Sequence, residues 1–108
     1  MAGNEKTFEN KVKKHLSDIG AWEVKFFGCA YTRAGVPDIL SCYKGKFIGI
    51  EVKADTGKPS QLQLHEVEQI KLAGGKAFVL YPSAFEDFKT WLADGAETDP
   101  PVIWKNKK

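Results

Sequence analysis

Two short acidic stretches, Gly35-Val36-Pro37-Asp38 and Glu51-Val52-Lys53, flank Lys44-Gly45, a dipeptide suited to a hairpin turn. With the turn centred there, Tyr43 faces Lys46, Ser41 faces Ile48, and Asp38 faces Glu51. Directly opposed residues of an antiparallel pair share a sheet face. Alternation puts Lys53 on that face too, and turns Ile48, Ile50 and Val52 the other way, towards a core. Like charges directly opposed are destabilising: at about 5 Å and an effective dielectric near 20, the repulsion is roughly 3 kcal/mol. A divalent cation would turn that repulsion into affinity. Hard oxygen ligands of this kind favour Mg²⁺ or Mn²⁺ over zinc, and the backbone carbonyl of Val52 is a further candidate ligand. The chemistry implied is metal-dependent phosphodiester hydrolysis. Lys53 would stabilise charge developing on the phosphorane and help position the attacking water. Nearby carboxylates favour a charged lysine, which argues against Lys53 as general base. The competing reading is an ordinary salt bridge from Lys53 to one of the acids.

The surrounding pattern supplies elements to hold these groups. Residues 5–19 read as a helix, with Phe8, Val12, Leu16 and Ile19 forming one apolar stripe before Gly20. Residues 22–27 read as a strand, 28–35 as a glycine-containing loop, and 37–43 and 46–54 as the two strands of the hairpin. Ser60 suits the N-cap of a helix over 61–73 that Gly74-Gly75 ends. Residues 76–81 read as a fourth strand. Ser83, with Glu86 three residues on, predicts a capping box opening a last helix that buries Phe85, Phe88, Trp91 and Leu92. From Asp94 the chain reads as a tail. The order of elements predicts an α/β fold with a mixed sheet.

A chain of 108 residues makes one small domain, whose limited core makes burial by dimerisation plausible. A net charge of +2 and a pI near 8.5 do not by themselves mark a nucleic-acid binder. The lysines are clustered, however: Lys6, Lys11, Lys13 and Lys14 on the first helix, and Lys105, Lys107 and Lys108 in the tail. Such clusters meet phosphate or simply face water. The two cysteines, Cys29 and Cys42, form no C-x-x-C pair, which excludes a finger-type zinc site. There is no apolar leader or membrane-length run. These features predict an intracellular, cytoplasmic protein with reduced thiols.

Taken in order, Gly35-x-Pro37-Asp38, Glu51-x-Lys53 and Ser60-x-x-Gln63 resemble the VRR-NUC branch of the PD-(D/E)XK nuclease superfamily over about residues 5–81. Glu9 stands ahead of Gly20 as the N-terminal glutamate of related Holliday-junction resolvases stands ahead of its glycine. Gln63 stands at the same separation ahead of Gly74, which suits the family's glutamine on the second core helix. The resemblance implies a restriction-endonuclease-like αβββαβ core, with a mixed four-stranded sheet flanked by helices. It also implies Mg²⁺-dependent hydrolysis of DNA. Small stand-alone members, mostly viral or bacterial, resemble homodimeric resolvases of branched DNA, so a bacterial or phage-infected cell is the implied setting.

On this reading Asp38 and Glu51 hold the metal, with Glu9 near it or its waters, and Gln63 joins the site from its helix. Glu5 competes with Glu9, and Gln61 with Gln63. Gln63 can equally be the partner of Ser60 in a capping box, and the two roles are compatible. Gly35 and Pro37 would shape the start of the strand and bring backbone near the phosphate. Arg33, Lys58 and Ser60 are further candidates for DNA contact, with a solvated loop arginine as the alternative for Arg33. Tyr31 and Thr32 share its loop. His15 and His65 receive no catalytic role. Trp22, Trp91 and Trp104 are read as core or dimer interface. The alternatives to a resolvase are a flap or nicking endonuclease, an inactive DNA-binding module on the same fold, and an interaction domain whose motifs are coincidental.

Overall fold

The structure is a computed structural model and describes residues 5–100. The predicted basic tail and Trp104 lie outside that range. Along the chain come α1 (Glu5–Asp18), β1 (Trp22–Lys25), β2 (Ile39–Tyr43), β3 (Lys46–Val52), α2 (Gln61–Leu72), β4 (Lys76–Leu80), a 3-10 turn at Pro82–Ala84, and α3 (Phe85–Ala93). The sheet order is β1-β2-β3-β4, antiparallel across the first three strands and parallel between β3 and β4. This is the expected mixed four-stranded sheet flanked by helices.

The hairpin register is the one read from the turn: Tyr43 pairs with Lys46 and Ser41 with Ile48. Lys44 and Gly45 both have positive φ (51° and 81°), the twist that two-residue hairpins prefer. Ile39, Ile48, Ile50, Val52, Phe78 and Leu80 are fully buried beneath α1 and α3, where Phe8, Val12, Leu16, Phe88, Trp91 and Leu92 meet them. Phe78 meets Trp91 edge-on, with ring centroids 5.4 Å apart. The other face of the sheet is covered by α2 over β3 and β4 only. There Trp22, Val24, Cys42 and Phe47 stay exposed. Trp91 is therefore core as expected, whereas Trp22, on the edge strand, is not.

The strands are one or two residues shorter than their apolar runs suggested. The capping box expected at Ser83 does not form. The chain turns through the 3-10 segment first, Ala84 occupies the N-cap of α3 without a side-chain bond, and the Ser83 N–H donates to Asp55 Oδ1 at 3.3 Å. Proline at the start of a helical turn favours this earlier, tighter start. Phe85, expected buried, is half-buried. Among the described residues, no helix is long and apolar enough to cross a membrane.

Candidate active site

The edge of the sheet where β2 begins and β3 ends gathers groups from both faces. Glu51 lies on the α2 face of β3 and is 1% exposed. Its Oε2 accepts from Gln63 Nε2 at 2.7 Å and lies 3.6 Å from Lys53 Nζ; its Oε1, also buried, has no hydrogen-bond partner. Asp38, just before β2, lies across from it. The Val52 N–H donates to Asp38 Oδ2 at 3.1 Å, which bolts the start of one strand to the end of the other. Burial, and then the negative charge of Asp38, push the Glu51 carboxyl up to about 8, against the downward pull of Lys53. At neutral pH the unliganded site keeps a proton on Glu51.

Gln63 reaches Glu51 because its helix start is built around it. Ser60 Oγ accepts from the Gln63 N–H at 3.1 Å, and the Ser60 N–H donates to Gln63 Oε1 at 2.8 Å. The side chain therefore closes the cap with its oxygen and serves Glu51 with its nitrogen, so both readings of Gln63 hold geometrically. Gln61 is exposed. Gly35 sets how closely the preceding loop meets this helix: a Cβ there would lie 2.5 Å from the Leu62 carbonyl oxygen, and its φ is +87°. Gly35→Ala is expected to lower stability by about 2 kcal/mol or more through clash and left-handed strain, and to displace Gln63 from Glu51. Denaturant melts of the two proteins check the first effect, and the amide resonances of the first turn of α2 check the second.

From the other face comes Glu9, 4% exposed on α1. Its Oε1 accepts from Lys25 Nζ at 3.1 Å, and the same ammonium lies 3.5 Å from Asp38 Oδ1. Glu9 Oε2 is buried without a hydrogen-bond partner, 4.0 Å from Lys6 Nζ. Glu5 is exposed, so Glu9 is the glutamate of α1 that reaches the site. Lys25 escaped the sequence reading. It pairs with Ile39 across β1 and β2, and burial opposes its charge, but the bond to Glu9 and the charge of Asp38 outweigh burial and raise its pKa. The only signal was a charged pair, Glu23 and Lys25, alternating with Trp22 and Val24 and so sharing the face that should be apolar.

The remaining candidates are less central. Lys53 is 14% exposed, with its stem against Gly57. The Gly57 carbonyl accepts from Tyr81 Oη at 3.0 Å, which fixes the loop that carries the exposed Lys58. Arg33 is neither bare nor in the acidic cluster; it pairs with Glu66 of α2 at 3.5 Å. Ser60 acts as helix cap. His15 packs on the rings of Phe85 and Phe88, away from the acids, and His65 is exposed.

Among the described residues, no group of three or more His, Cys, Asp and Glu side chains is arranged to hold a metal ion. The carboxylates of Asp38 and Glu51 are the neighbouring oxygen donors here. Protonated, Glu51 has an O–H to offer Asp38; ionised, its buried Oε1 is an acceptor without a hydrogen-bond partner, and a hard cation beside the two carboxylates fits that need.

No protein-family model and no curated protein sequence matches the chain. A solved structure described as a VRR_NUC domain superposes with a TM-score of 0.65, covering 87% of this chain and 98% of its own, at 23% identity. The chain has the VRR_NUC fold. The Holliday junction resolvase Hjc of the archaeal hyperthermophile Archaeoglobus fulgidus superposes with a TM-score of 0.51, over 70% of this chain and 66% of that one, at 26% identity. The likeness to the VRR_NUC domain agrees with the αβββαβ order of elements.

Proposed function

We propose that this protein is a metal-dependent, structure-selective DNA endonuclease of the Holliday-junction-resolvase type. The observation that carries the reading is the buried Glu51 beside Asp38, with one oxygen unpartnered and Lys53 3.6 Å from the other. The solved relative named as a Holliday junction resolvase supports the substrate class. Asp38, Glu51 and the Val52 carbonyl would hold Mg²⁺ or Mn²⁺, with Glu9 near its waters. What the ion supplies when bound is an activated water and neutralised charge on the phosphoryl oxygens. Gln63 orients Glu51, Lys53 carries positive charge to the scissile phosphate, and Lys25 holds Glu9 and Asp38 together. Arg33, Lys58 and the backbone at Gly35 and Ser60 line the approach of DNA.

The protein works as a homodimer, since a two-fold pair of sites matches a roughly two-fold junction. The open sheet face of Trp22, Val24, Cys42 and Phe47 is the surface for a second copy. Glu23 and Lys25 alternate onto the opposite face, so two such patches meet without like-charge repulsion. Trp22→Asp is expected to halve the mass measured by light scattering at micromolar concentration. A monomeric wild-type mass, free and on DNA, would remove the dimer from this reading.

The functional test mixes the protein with a four-way junction, a flap and a linear duplex, in Mg²⁺ or in EDTA. Paired, metal-dependent cuts across the junction are the expected result. Cutting of the flap alone would make the protein a flap endonuclease, and binding without cutting in any metal would make it a DNA-binding module.

A further inference from the structure

Two aromatic rings on the connection between β1 and β2 face solvent, and Phe27 is the one near Asp38. Phe27 is 75% exposed and Tyr31 is 97% exposed. The loop that presents them is tied to itself. The Cys29 N–H donates to Thr32 Oγ1 at 2.8 Å, the Thr32 N–H donates to the Cys29 carbonyl at 3.1 Å, and the Tyr31 N–H donates to Cys29 Sγ at 3.4 Å. A ring on a braced backbone has only two side-chain torsions to fix when something stacks on it, a small entropic cost. A cleft of about 380 Å³ runs under the loop, lined by Phe26, Thr32 and Arg33 and including Asp38. Lys25 Nζ lies 5.8 Å from the centre of the Phe27 ring and 3.5 Å from Asp38 Oδ1, so a single ammonium group separates ring from acid.

We propose that Phe27 and Tyr31 form a stacking platform for an unpaired nucleobase next to the scissile phosphate, and that the substrate is DNA with unstacked nucleotides at the cut. This rests on the nuclease reading above. A phosphate brought to Asp38 and Glu51 through a bound cation would put its adjoining base within reach of the Phe27 ring, one ammonium away, and Arg33, held by Glu66, lines the same cleft for the next phosphate. Every unpaired base offers a π face, whereas a base inside a duplex has both faces taken by its neighbours. The platform thus favours branch points, flaps and gaps over linear duplex whatever their sequence. Phe27 stands one ammonium group from Asp38, on the cleft's margin, a placement that suits a ligand whose phosphate enters the acidic site.

The test measures binding by fluorescence anisotropy in Ca²⁺, a hard cation for an oxygen-ligand site, with a gel run alongside to show that the probes stay uncut. The probes are a duplex, the same duplex with a flap, and that flapped duplex with the first unpaired nucleotide made abasic. Wild type should prefer the flap, and the abasic change should weaken binding roughly tenfold. Phe27→Ala and Tyr31→Ala should each weaken flap binding by a similar factor, leave duplex binding unchanged, and lose sensitivity to the abasic change. Tyr31→Phe should restore preference, and Tyr31→Leu should not. Equal loss on all three probes, or no loss, overturns the platform. If the aromatic variants behave as expected but wild type cuts nothing in Mg²⁺ or Mn²⁺, the nuclease reading fails and the platform stands. If cutting depends on Lys53 but the aromatics do not matter, the platform fails alone. Absence of DNA binding by wild type overturns both.

Discussion

Glu51→Gln should make the metal-free protein more stable at pH 8 and abolish the fall in stability between about 4.5 and 8. What remains is the opposite, rising contribution of His15, whose imidazole is held below its usual range by burial and then by Lys89. Burial and Asp38 raise the Glu51 carboxyl from its ordinary 4.5 to about 8 in the folded state. Between those values the folded chain holds a proton that the unfolded chain has released. Stability is therefore full below about 4.5, falls as pH rises, by up to about 1.4 kcal/mol per unit, and levels off above about 8. The loss across the window is on the order of a few kcal/mol. Lys25, whose pKa is also raised, holds its stabilisation throughout this window and loses it only above its elevated pKa. Glutamine keeps the size and accepts from Gln63 without ever ionising. Urea melts at pH 5 to 9 in chelator read the slope, and a slope unchanged in the variant would refute Glu51 as its origin. With Mg²⁺ or Mn²⁺ added the order should reverse. Wild type gains stability by mass action and releases a proton as Glu51 ionises, while the variant gains none. Its cleavage should be lost.

Lys53→Ala should lower the single-turnover cleavage rate by about 10²- to 10³-fold, with little change in DNA affinity. Its side chain is 14% exposed and its ammonium sits 3.6 Å from Glu51 Oε2, in surroundings where a positive charge aimed at a developing oxyanion counts for more than in water. Loss of one such donor costs a rate factor of that size, whereas loss of one phosphate contact among many shifts affinity modestly. Lys53→Arg should restore little, because a planar, delocalised fork does not replace a compact point charge beside the Glu51 carboxylate. A rate unchanged at saturating protein, or a loss entirely in binding, would leave Lys53 as a salt-bridge partner.

The parts of this site within reach of one turn were legible from sequence. Lys44-Gly45 set the register, the register opposed Asp38 and Glu51, and alternation sent Ile48, Ile50 and Val52 into the core. Local cap chemistry placed Ser60 and Gln63. What crossed longer stretches of chain was not legible. Lys25 meets Asp38 only through a β1–β2 register, and the long connection between those strands hides it. Arg33 meets Glu66 because the loop folds onto α2, a contact without sequence periodicity. Ser83 carried the pattern of a capping box, but the proline before it started a 3-10 turn first. That Glu51 is buried, rather than merely turned to one face, depended on α2 closing over it.

The amide of Gln63 has no freedom to turn. With its oxygen committed to the Ser60 N–H, its nitrogen must point at Glu51, so the first turn of a helix dictates the polarity of a contact in the acidic cluster. Gln63→Glu would satisfy the rules of helix design equally well, since glutamate is as good a partner in a capping box. It would also replace the one neutral donor to Glu51 with another acid. A substitution conservative for the helix is thus a change of valence for the site, and selection for a neutral side chain at this position would act through the carboxylate it faces.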